Sequence, residues 1–163
     1  MKQCLIKEKL KIYSKRRSVK EAEYYMNIND VKEWMIIADD DFDSAKILNE
    51  SHRKHLEVIC YLCAQATEKY LKCYLTYNNI IPQKIHNLVL LNDKCIEIDS
   101  NFQEIKMECG FLNRYINEIR YPYRIQVYEE DVMFVIRSVE KIRGIDALKR
   151  IREELIKKDK ENN

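Results

Sequence analysis

The sequence predicts an all-α protein, an up-and-down antiparallel bundle of four to five helices, from three observations. The 163 residues include only two glycines, Gly110 and Gly144, and two prolines, Pro82 and Pro122. That is too few for the turns a β sandwich or barrel places roughly every 8 to 12 residues. Charged residues make up 34% and apolar ones 46% of the chain, the mixture of solvated amphipathic helices around one interior. Apolar residues also recur at spacings of three and four over most of the length. The same glycine count excludes the Gly-rich phosphate loops of Rossmann and P-loop nucleotide enzymes, which need several glycines in one short stretch.

The first helix is expected over residues 31–50, where Trp34, Ala38, Asp41, Ala45 and Leu48 form a stripe and Asn29 or Asp30 can cap the start. Asp41 is the one polar residue on that stripe. The second, central helix carries Leu56, Ile59, Cys63, Ala66, Tyr70, Cys73 and Tyr77, widened by Val58, Leu62, Leu71 and Leu75. Asn78-Asn79 ends it, and Pro82 blocks continuation. A shorter helix is expected from residue 87 to about 98, with Leu88, Leu91 and Cys95 inward. Phe102, Ile105, Cys109, Leu112, Ile116 and Ile119 predict one further helix that contains Gly110, with a close helix contact as the reason for the glycine. A long last helix begins with Val132, Val135, Val139 and Ile142 and continues past Gly144 through Ile145, Leu148, Ile151 and Leu155. This divides the chain into a basic extension, residues 1–29, a bundle, residues 30–145, and a charged continuation of the last helix, residues 146–163.

Residues 1–20 hold eight Lys or Arg against the single acid Glu8, so the net charge of +2 is concentrated in this opening segment. Such a cluster can meet phosphate or an acidic partner, and equally reads as a solvated tail. The longest apolar run, residues 58–64, is far short of a membrane span. No membrane association, a cytoplasmic location and reduced cysteines are expected. Wide apolar faces on the second helix and on the fourth, the one from Phe102, argue for a two-fold homodimer.

Few residues stand in a setting for chemistry. His52-x-x-His55 and Cys60-x-x-Cys63 contain zinc-type ligands, but along one helical segment four side chains would not converge. No metal and no cofactor are expected. The remaining polar residues on apolar helices are Asp41, then Gln65, Glu68, Lys69 and Lys72, and finally Arg120. Gln65, Lys69 and Lys72 lie at i, i+4 and i+7 and share a face suited to a ribose, phosphate or base edge. An Asp41 ion pair with Lys72 or Arg120 that sets helix register is the competing reading. His86 is expected to cap backbone N–H groups or hold down its loop, and Arg120-Tyr121-Pro122 ends a helix with a planar cation and a phenol.

These residues resemble the HEPN domain (higher eukaryote and prokaryote nucleotide-binding) family over about residues 31–143. Ala38-x-x-Asp41-Phe42-x-x-Ala45-x-x-Leu48 is similar to its first helix. Ala64-Gln65-Ala66-Thr67-Glu68-Lys69-Tyr70-Leu71-Lys72, followed by Ile81-Pro82 and His86-Asn87-Leu88, is similar to its most recognisable run. Arg120-Tyr121-Pro122, after Leu112-Asn113-Arg114-Tyr115, is similar to its closing motif. The resemblance implies a dimerising all-α bundle that binds nucleotides or RNA or pairs with a minimal nucleotidyltransferase, in some cases as a toxin–antitoxin pair. It also implies Asp41, Gln65, Lys69, Lys72, His86, Arg120 and Tyr121 as the ligand-binding set. The family's ribonuclease branch needs a histidine after the arginine, where this chain has Ile125, Gln126 and Val127, and no histidine follows His86. The expectation is therefore a non-catalytic module, with a ribonuclease toxin using Arg120 as the alternative.

Overall fold

The computed structural model describes residues 28–82, 84–117 and 126–161, and the described residues contain helices and no strand. The elements are α1 (Ile28–Glu50), α2 (Leu56–Tyr77), α3 (Leu88–Ile98), a 3₁₀ turn (Ser100–Ile105), α4 (Lys106–Leu112), α5 (Arg114–Asn117), α6 (Glu129–Arg143) and α7 (Asp146–Glu161). The basic segment expected at residues 1–29 lies outside the described residues except for its last two.

The alternation of direction follows from which residues meet. Asp41 on α1 reaches Lys69 on α2, while Val31 meets Cys73, so the two helices run antiparallel. The 3₁₀ turn, α4 and α5 form a third rod that starts with Phe102 against Tyr74. Along α6 this rod pairs Phe111 with Phe134 and Glu108 with Lys141, which makes α6 antiparallel to it. Four rods thus go up, down, up and down, with α3 inserted between the second and third.

At the centre is α2, in which Ile59, Cys60, Cys63, Ala64 and nearly every residue from Ala66 to Thr76 are buried. An apolar stripe buries one side of a helix, but this helix is covered on most sides, by α1, α3, α6 and the third rod. Its wide apolar face is therefore used inside the bundle and does not by itself require a second copy. Thr67 and Thr76 remain tolerable here because each hydroxyl donates to the carbonyl four residues earlier. The helix ends as its sequence predicts: Asn79 adopts φ 61° and Ile80 N–H returns to the Leu75 carbonyl, a left-handed helix stop. All five described cysteines are buried and unbridged. Burial pushes the Cys60, Cys73 and Cys109 thiols up to about 12, so they stay protonated and act as small apolar residues.

Several elements differ from expectation. The buried stripe of α1 is Val31, Met35, Ala38, Phe42 and Ala45, one step round from the expected one. Trp34 and Leu48 pack only partly against the core, and Asp41 sits on its flank. The expected single helix from Phe102 is instead the 3₁₀ turn, α4 and α5 in succession, and Asn113, between α4 and α5, accepts the Leu88 N–H (2.8 Å) at the start of α3. Gly144 ends α6, and α7 starts anew at Asp146. Residues 146–161 are thus a separate helix that packs against α1 and α2, where Tyr77 donates to Glu154 and Lys32 to Asp159.

Gly110 makes no close helix contact: a Cβ at this exposed position would meet nothing within 4 Å. Gly110→Ala should raise stability by about 0.5 to 1 kcal/mol, because alanine lowers the entropy of the unfolded chain without a clash. Urea denaturation checks this; a lower midpoint would mean that the position is constrained by something other than helix propensity.

Candidate functional site

The expected polar face of α2 exists but divides between two carboxylates. In the first group the Lys69 ammonium donates to Asp41 Oδ2 (2.6 Å) across the helix pair and to Gln65 Oε1 (3.1 Å) one turn away. Asp41 therefore pairs with Lys69, not with Lys72. Because the bond joins two helices it fixes their register, and the pair is only partly exposed. Gln65 accepts from Lys69, but its Nε2 is buried without a partner among the described residues.

One turn further along, Lys72 donates to Glu68 Oε1 (2.6 Å), and both side chains are almost fully covered, 7% and 5% exposed. His86 Nδ1 lies 3.1 and 3.2 Å from the two oxygens of Glu68. His86 does not cap the next helix. That role belongs to Asn87, whose side chain accepts from Leu90 N–H. His86 instead ties the loop after Pro82 to α2 while its ring stays largely in solvent. Trp34 completes the group from α1, its ring centre 5.5 Å from the Lys72 ammonium. Trp34, Ile37 and Asp41 fall at i, i+3 and i+7 of α1 and face the same flank. Arg120 and Tyr121, expected to close the site, lie outside the described residues. His52 and His55 are in the loop before α2 rather than on it. Among the described residues no three His, Cys, Asp or Glu side chains are grouped to hold a metal ion.

A third polar group was not expected at all. The Asp39 carboxylate accepts a hydrogen bond from Tyr70 OH (2.5 Å) and paired bonds from Arg152, one of them 2.9 Å, with Arg143 at 3.5 Å. Burial alone would raise the carboxyl, but the bonds from Arg152 and Tyr70 and the charges of Arg152 and Arg143 outweigh it and hold Asp39 below the usual carboxylate range. This clamp joins α1, α2, the end of α6 and α7.

A family model settles the relationship: the HEPN domain matches residues 31–151. The chain belongs to the HEPN domain family. No curated protein matches it. The HEPN match covers all four rods, both lysine groups and Asp39, and it ends inside α7, one residue before Arg152. No helix among the described residues is long and apolar enough to cross a membrane.

Asp39→Asn removes a charge that two guanidiniums share, and should cost about 2 to 3 kcal/mol at neutral pH. The sign with pH follows from the direction of the shift. A carboxyl held below its unfolded value, near ~4, contributes fully above that pH and loses its contribution as pH falls through the folded value. Wild type and variant should therefore converge in stability below about pH 4. Thermal unfolding from pH 3 to pH 7 checks this, and a gap that is constant with pH would show that Asp39 acts through packing alone.

Proposed function

We propose that this HEPN module dimerises and binds a nucleotide or RNA through the flank of α1 and α2 that carries Asp41, Gln65, Lys69, Lys72 and His86. The observation that carries the reading is the Gln65 amide. A buried N–H donor with no acceptor costs roughly 1 to 3 kcal/mol, and this one, unpartnered among the described residues, belongs to the amide whose oxygen accepts from Lys69. A phosphate or ribose oxygen is the kind of acceptor that would satisfy it once the side chain turns outward, since the nitrogen is covered in this conformation. The exposed Ile37 and Val58 provide apolar contact on the two helices of that flank, which suits a second copy that encloses the ligand.

Because Lys69 and Lys72 are each neutralised by a carboxylate, recognition here rests on hydrogen-bond geometry more than on net positive charge. A minimal nucleotidyltransferase, in a toxin–antitoxin pair or otherwise, is the protein partner that the family suggests for the same face. The arginine–histidine arrangement of the ribonuclease branch is incomplete in this chain, which favours a binding role over cleavage.

Gln65→Met separates binding from folding. The variant should be as stable as wild type or more so, since the unpartnered donor is gone, while affinity for an RNA oligonucleotide or a nucleotide should fall about tenfold. Calorimetry and sedimentation of both proteins test the binding and the dimer. A monomeric protein that binds neither ligand would overturn the proposal. Incubation with total RNA beside an Arg120→Ala variant addresses cleavage: intact RNA supports the binding role, and cleavage that disappears in the variant favours the ribonuclease.

A further inference from the structure

The outer face of α1 carries an apolar and acidic stripe that no other described element covers. Glu33, Ile36, Asp40, Asp43, Ile47 and Glu50 follow one another at spacings of three and four, and all six are exposed. They form one line of roughly 25 Å along the helix. A single exposed isoleucine calls for no explanation, but here two are aligned, Ile36 at 47% and Ile47 at 68% exposure. Ile36 also opens onto a cavity of about 150 Å³ between α1 and α7, whose wall continues with Leu155 and Ile156. The charges on the stripe are of one sign. Asp43 has Lys46 as its partner (2.7 Å), whereas Glu33, Asp40 and Glu50 pair with no cation among the described residues.

The chain itself contains a segment of matching character. Residues 5–17, outside the described residues, combine Leu5, Ile6, Leu10, Ile12 and Tyr13 with six Lys or Arg against the single acid Glu8. Basic side chains suit the unpaired acids, and the apolar ones suit Ile36, Ile47 and the cavity. The ten residues 18–27 connect this segment to α1 and span up to ~33 Å when extended, more than the length of the stripe. We propose that residues 5–17 dock along the outer stripe of α1 in their own chain. The HEPN match begins at residue 31, so this contact belongs to the present chain and lies outside what the family supplies. Trp34, Ile37 and Asp41 are on the other flank of α1. The docked segment therefore leaves the face of Asp41, Gln65 and Lys69 open, and the contact does not depend on ligand binding there.

Carbodiimide cross-linking of the full chain, with the linked peptides identified by mass spectrometry, tests this, because it joins an amine to a carboxylate only where the two touch. In about 0.1 M salt, Lys7, Lys9, Lys11 and Lys15 should link to Glu33, Asp40, Asp43 and Glu50, and about 0.5 M salt should remove most of the product. Ile36→Gln combined with Ile47→Gln keeps every carboxylate and alters only exposed positions. The same links should then fall about tenfold, the size of two lost apolar contacts. Links that are unchanged by salt or by this variant, or that spread over the acids of other helices, would overturn the proposal. A mixture of isotope-labelled and unlabelled protein identifies the copy that supplies the segment. Links within one chain support the proposal, and links only between differently labelled chains would replace it with an interface between two copies.

Discussion

The structure depends on one constraint: α2 is surrounded, yet its sequence contains charges. Burying a charge is tolerated only if a partner and hydrogen bonds come with it. Each polar residue of this helix therefore specifies a neighbour. Lys69 requires Asp41, which sets α1 alongside. Tyr70 requires an acceptor for its hydroxyl and finds Asp39, which in turn gathers Arg143 and Arg152 and so positions the end of α6 and the start of α7. Lys72 requires Glu68, and Glu68 draws His86 and its loop inward. The apolar residues supply most of the free energy of folding, but the choice of which helix lies where is made by these polar demands.

The same logic separates the polar contacts into two kinds. Bonds between helices, Lys69 to Asp41 and Arg152 to Asp39, have an architectural consequence that is visible in the packing. The contact within one helix, Glu68 to Lys72, has none, His86 ties down only its own loop, and Gln65 keeps a donor that nothing among the described residues accepts. Functional surfaces are where a protein departs from complete internal satisfaction. Here the Gln65 amide is such a departure on the flank α2 shares with α1, while Asn92, Glu108 and Tyr115 keep unpartnered oxygens elsewhere in the bundle.

Much of this was legible in one dimension because the period of a helix is a local property. The 3.5-residue repeat from Leu56 to Tyr77 located α2 and its central place, and Asn78-Asn79 located its end. The face shared by Gln65, Lys69 and Lys72 was also readable, since i, i+4 and i+7 fix angular position without any tertiary information. What was not legible depends on residues far apart. Nothing marks Asp39 among Asp39, Asp40, Asp41 and Asp43 as the acid that meets Arg152, which is 113 positions away. The stripe of α1 was misplaced by one residue because Trp34 and Met35 are both apolar, and only packing against Cys73 and α7 decides between them. The bond from Leu88 N–H to the Asn113 side chain was hidden for a similar reason: it joins positions 25 apart.

The position of Gly144 has a further consequence for how the molecule comes apart. By stopping α6 it allows α7 to set off along its own path, but the grip on α7 weakens along its length. Its near half is anchored by Leu148, Ile151 and the Asp39 clamp, and Leu155 is the last buried side chain. From Ile156 onward every described residue of the helix is exposed, and its outermost tie is the solvent-facing ion pair of Lys32 with Asp159, a type of contact worth little in water. Opening should therefore begin at the distal turn of α7 and stop at Arg152, so that the HEPN rods keep their amide protection after the tail has lost its own.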